Sequence, residues 1–156
     1  MKKTKTLCEF RPPMHRTVQR LIGVIVDVTK HSRNRFLDTL AHWRVPKEYA
    51  DPIYNYLIHG FEPGSFFTSV FANDFMTAML RSHPANTVEA LKTVAGWTHN
   101  NCPHEAWGSY NKVSAWLVMP PAQCRKLLEE CNLIYTEEEE IMLALRNTYT
   151  AEPMLY

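Results

Sequence analysis

Apolar residues recur at three- and four-residue intervals along most of this 156-residue chain, and the breaks between them carry helix punctuation. Phe36, Leu37, Leu40 and Trp43 predict a helix over about 33–43. Asp51-Pro52 offers a capping residue and a first-turn proline, and Gly60 a C-terminal stop, so 52–59 reads as a second helix. After Pro63-Gly64, Ser65 caps a segment in which Phe67, Val70, Phe71, Phe75, Met79 and Leu80 keep helical spacing until Pro84. Asn86 with Glu89 forms a capping-box pattern ahead of Val88, Leu91, Ala95 and Thr98. Ser109 caps a short helix holding Val113, Trp116 and Leu117. Pro120-Pro121 closes that helix and opens the next, where Cys124, Leu127, Leu128 and Cys131 form one stripe. Thr136 with Glu139 is a second capping box, leading to Ile141, Met142 and Leu145.

The beginning is ambiguous. Val18, Leu21, Ile22, Ile25 and Val26 fit a helix, while Ile22, Val24, Val26 and Val28 fit a strand. We read it as helix, with a small N-terminal β element as the alternative. The expectation is a compact all-α domain spanning 1–156, with about seven or eight short helices and loose tails at about 1–12 and 150–156.

Composition supports a folded chain: 46% hydrophobic, 12% aromatic and 21% charged residues can build a core. Four irregularly spaced cysteines and an N-terminus without a signal-peptide apolar core predict a reducing cytoplasm. The longest apolar run, 21–26, is too short to cross a bilayer, so no membrane association is expected. The net charge of +1 hides a division. Residues 1–47 hold eleven Lys and Arg against three acids, and 48–156 hold six against thirteen. A basic segment can bind phosphates, but docking on the acidic remainder of its own fold or of a neighbouring subunit, or plain solvation, is the preferred reading.

Candidate chemistry is sparse. His99, Cys102 and His104 place two imidazoles and a thiol within six residues, but zinc needs three or four ligands and the next would come from as far as His59. They are weak metal candidates beside the reading as a turn with a buried cysteine, and no cofactor is expected. Ser65 and Ser109 read as helix caps, and nucleotide-binding glycine motifs are missing. Glu137–Glu140 complement a helix dipole. Asn73 and Asp74 are poor helix formers inside a segment otherwise read as helical, so they suggest either a hydrogen-bond network or a binding role. Arg33, Arg35 and Arg44 lie beside the helix carrying Trp43, the pairing of guanidinium and apolar surface used for phosphates or protein interfaces. With Trp107 they complete the ligand- or partner-binding set.

The run Glu62-Pro63-Gly64-Ser65-Phe66-Phe67, the following Asn73-Asp74, and Trp107-Gly108-Ser109 with Val113 and Trp116 resemble a pattern in small uncharacterised proteins of tailed phages and prophages. The likeness covers about residues 54–117, with Glu62 where the pattern has proline and Phe67, Phe71 and Phe75 where it has aliphatics. That resemblance brings no activity with it. It implies a phage accessory protein in the host cytoplasm. The expected function is non-enzymatic binding, inhibiting a host defence protein or sequestering an anionic nucleotide messenger, and the chain is expected to form a homo-oligomer. A nucleic-acid-binding accessory protein is the alternative, and a metal-dependent hydrolase built on His99, Cys102 and His104 has least support.

Overall fold

The computed structural model describes residues 29–83 and 86–151, and among them every regular element is helical. The ambiguous segment 18–28 and both proposed tails fall wholly or mainly outside those residues. Eight α-helices follow in order: α1 (Lys30–His42), α2 (Lys47–Tyr54), α3 (Gly64–Phe71), α4 (Phe75–Arg81), α5 (Val88–Asn101), α6 (Tyr110–Val118), α7 (Pro121–Glu130) and α8 (Glu137–Ala151). A π turn (Asn55–His59) extends α2, and a 3-10 turn (His104–Ala106) precedes α6. The all-α architecture is thus as the periodicity predicts. No helix among the described residues is long and apolar enough to cross a membrane.

The core is aromatic. Phe36 of α1 meets Tyr54 edge-on at 5.2 Å and Trp97 of α5 at 5.6 Å, and Tyr56 lies 4.8 Å from Phe71. Offset and edge-to-face pairs of this kind add to burial of the rings themselves. The polar tips are anchored as well: Tyr56 donates to the Ala106 carbonyl at 2.7 Å, and the Trp97 indole to Thr39 at 3.1 Å. The π turn serves this core directly. Its wider backbone lets the consecutive residues Tyr56, Leu57 and Ile58 all be buried. Gly60 then ends it at φ 68°, as predicted for a left-handed C-terminal stop.

Several helix starts differ from their sequence reading. The second helix begins at Lys47, not at Asp51-Pro52, and Pro52 sits inside it, where it removes the N–H that would bond the Glu48 carbonyl. Thr87, not Asn86, caps α5, accepting from the Ala90 N–H. Ser65 caps nothing: α3 starts one residue earlier, at Gly64. Ser109 and Thr136 do cap, accepting from the N–H groups of Lys112 and Glu139.

Three helices end alike. Arg44, Asn73 and Asn132 take φ values of 61°, 62° and 59° after α1, α3 and α7. In each case the next N–H bonds back five residues: Val45 to Leu40, Asp74 to Ser69, Leu133 to Leu128, at 2.9–3.1 Å. This closing motif satisfies carbonyls that the helix end leaves open, and Asn is the best substitute for Gly there.

Candidate functional site

Two regions hold the residues singled out by sequence. The first is the outer side of α1. Arg33 and Arg35 are two positions apart on a helix and therefore diverge. Arg33 lies over the Tyr54 ring at 5.3 Å with Asp51 at 3.9 Å, whereas Arg35 lies over Tyr135 at 4.5 Å. Arg35 also donates to the Asn132 carbonyl at 2.9 Å and sits 4.0 Å from Glu139. Arg44 is exposed at the left-handed position beyond α1. The three arginines do not converge on one point, and two of them already engage the fold. Trp43 packs on α5, where a Cβ added to Gly96 would come within 3.0 Å of its ring. Beside it, Arg35, Asp38, His42, Asn101 and Tyr135 help line a shallow groove of about 420 Å³.

The second region joins the two motif segments. The helix read across 65–80 is in fact two helices, and the break is Asn73-Asp74. Asn73 turns the chain left-handed, and Asp74 begins α4 by accepting the Thr77 N–H through Oδ1 at 3.2 Å. The other oxygen, Oδ2, accepts the Tyr110 hydroxyl at 2.7 Å. The Tyr110 bond, with those from Thr77, holds the Asp74 carboxyl below its ordinary range. The Gly108 N–H donates to the Phe71 carbonyl at 2.7 Å. The Pro-Gly-Ser-Phe helix and the Trp-Gly-Ser turn are therefore fastened to each other at both ends of the break. Trp107 stands between His99 and His104, with ring centres 6.0 and 5.8 Å away. Its indole N–H is buried with no hydrogen-bond partner among the described residues.

The break has a consequence that sequence reasoning missed. Phe75, Met76, Met79 and Leu80 lie on one side of α4, spaced i, i+1, i+4 and i+5, and are 39%, 79%, 52% and 82% exposed. Ala78, on the opposite side, is fully buried against the fold. The four large residues form an outward ridge. Tyr110, 47% exposed, stands at its base, and Arg81 with Tyr110 and Leu117 lines a cleft of about 380 Å³ alongside. The available signal was the Asn-Asp pair itself. A helix interrupted there cannot keep one continuous buried stripe on both sides.

His99, Cys102 and His104 do not assemble a metal site, and no group of three or more metal-ligating side chains occurs among the described residues. Cys102 is a core residue whose thiol burial pushes well above its ordinary range, with Cys131 and Glu105 adding to the effect. A protonated, enclosed thiol is a packing group. Cys124 is likewise core and Cys131 half-buried.

A further site escaped the sequence altogether. Glu140, read as one of four acids along a dipole, is buried. One carboxylate oxygen accepts from the hydroxyls of Thr29, at 2.7 Å, and Ser32, and the other accepts from Arg125 at 2.9 Å. Arg125 also reaches Glu129 at 2.9 Å and the Tyr135 carbonyl at 3.2 Å. Burial alone would raise the Glu140 carboxyl. The bonds from Ser32 and Thr29 and the Arg125 charge reverse that and leave it below its ordinary range. This clasp ties the start of α1 to α7 and α8.

Comparison with known proteins finds no matching family model, no matching curated protein and no matching solved structure.

Proposed function

We propose that this chain is a non-enzymatic binding protein whose contact surface is the α4 ridge, and that it takes a protein partner offering an apolar groove. The observation that carries the reading is the side-by-side exposure of Phe75, Met76, Met79 and Leu80 on a helix fixed at its start by Asp74 and Tyr110. Contiguous exposed apolar surface rimmed by polar groups marks interaction sites in soluble domains. Methionine adapts to irregular partner surfaces, and the adjoining Tyr110 and Arg81 are residue types that dominate interface energetics. A short amphipathic helix presenting such residues is the donor half of helix-in-groove recognition.

Sequestration of an anionic nucleotide has weaker support, because Arg33 and Arg35 point apart and are engaged by Asp51, Tyr54, Tyr135 and Glu139. The resemblance of residues 54–117 to tailed-phage proteins supports a phage accessory role in a bacterial cytoplasm, with inhibition of a host defence protein as the outcome of binding. Self-association through the same ridge is the competing occupant.

A photo-crosslinking residue placed at Leu80 of the full chain in bacterial cells tests this, with Lys126 on α7 as the control position. The proposal expects one dominant heterologous adduct from position 80 that saturates with expression and is missing from position 126. Adducts only of twice the chain mass would assign the ridge to self-association. Equal adducts from both positions, or none, would overturn the reading.

A further inference from the structure

Arg35 and Asp38 lie three positions apart on α1, where opposite charges are close neighbours on a helix surface. Yet no ion pair joins them among the described residues. Arg35 is engaged elsewhere: its guanidinium lies over the Tyr135 ring at 4.5 Å and donates through Nε to the Asn132 carbonyl at 2.9 Å. Asp38 is exposed and has no hydrogen-bond or ion-pair partner among the described residues. Both line the groove of about 420 Å³, and in its lining they are the single Lys or Arg and the single acid.

We propose that this groove binds a free aromatic α-amino acid, with the carboxylate on Arg35, the ammonium on Asp38 and the ring against Trp43. The site shares no residue with the α4 ridge. Charge selects the ligand class: a phosphate would meet Asp38 as a like charge, and a simple cation would meet Arg35, whereas a zwitterion pairs with both. Arg35 is ready for its half. Neither of its terminal nitrogens makes a hydrogen bond, since Glu139 at 4.0 Å is beyond that reach, so the fork that grips a carboxylate is open. The Tyr135 stack and the Asn132 bond fix the guanidinium beforehand, which lowers the cost of ordering it on binding. Side chains three apart on a helix have Cβ atoms about 5–6 Å apart, a spacing that the adjacent carboxylate and ammonium of an α-amino acid bridge. Trp43, Tyr135 and Leu143 are half-buried and leave apolar surface in the groove, with His42 edge-on to Trp43 at 6.5 Å. A ligand ring packs edge-on or offset against such walls, and the volume lies in the range of small-molecule sites.

The test titrates L-phenylalanine into the isotope-labelled full chain and follows the Trp43 indole N–H signal by NMR, assigned with Trp43→Phe. The expected result is a saturable shift, with phenylpropanoate and phenylalaninamide, which each lack one of the two charges, binding at least tenfold more weakly. Asp38→Asn should weaken L-phenylalanine at least tenfold and leave phenylpropanoate within twofold, a split that a merely structural Asp38 would not produce. Asp38 bonds nothing among the described residues, and unchanged melting checks that the variant is intact. If it is not, the analogue comparison on the parent chain decides. No saturable shift at about 20 mM L-phenylalanine, which would fill even a millimolar site, equal affinities for the three compounds, or an unchanged affinity in the folded Asp38→Asn variant would overturn the proposal.

Discussion

α3 and α4 read as one helix in sequence, with the same apolar spacing on both sides of Asn73-Asp74, yet they treat those residues in opposite ways. α3 buries Ser69, Val70 and Phe71, and α4 exposes Phe75, Met76, Met79 and Leu80. The difference lies in two residues. Asn73 takes the left-handed conformation that ends α3, and Asp74 restarts the helix with a new cap, so the second stripe is aimed independently of the first. Periodicity states which residues share a face. It does not state whether that face is turned inward when a break intervenes.

The largest difference between the two helices is expected at the core. Phe71→Ala should cost about 3–5 kcal/mol, because a fully buried ring is removed and a cavity remains. Leu80→Ala, equally apolar and only nine positions on, should stay within about 0.5 kcal/mol. Urea denaturation of the two variants checks this directly, and similar losses would mean that α4 is packed like α3.

α8 extends the lesson, since Glu140 is buried there while Ile141 and Met142 beside it are exposed. Glu140→Gln should cost about 2 kcal/mol by weakening the charge-assisted bonds of the clasp, while Arg125 keeps Glu129. The pH dependence follows from the direction of the shift. A carboxyl lowered in the folded state contributes stability above the ordinary value of 4.5 and loses it as pH falls through the lower folded value. Thermal melting between pH 7 and pH 3 should therefore show an acid-side loss that is smaller in Glu140→Gln. An identical slope in both proteins would remove Glu140 from the account.

At the break itself, Asn73→Ala should cost about 1 kcal/mol, since alanine resists the left-handed conformation. Arg44→Gly, at the equivalent place after α1, should stabilise by a similar amount for the same reason. Caps separate more finely. Ser109→Ala should cost about 1 kcal/mol and Ser65→Ala almost nothing, because only Ser109 accepts a bond from the first turn of its helix.

Much of the fold was legible because its signals are local. Gly60, Ser109, Pro121 and Thr136 punctuate helices through their own backbone or side-chain chemistry, and Val113 and Trp116, placed by their spacing on the helix after Ser109, are buried. What stayed hidden depends on distant partners. Glu140 and Ser32 are 108 positions apart, and nothing in the Glu137–Glu140 run distinguishes the buried acid from its neighbours. Asp74 and Tyr110 are 36 apart, so the unfavourable pair in a predicted helix was visible while its purpose was not. For the arginines, adjacency in sequence suggested a cluster that helical geometry divides.

We propose that the ridge turned outward at Asn73-Asp74 is the binding surface. Its most direct test places the crosslinking residue at Met79 and compares the parent chain with the Met76→Ser, Leu80→Ser double variant in the same cells, with melting followed in parallel. The heterologous adduct is expected to fall at least tenfold while the melting midpoint stays within a few degrees. An adduct of undiminished yield, or its loss only together with a collapse of melting, would contradict it.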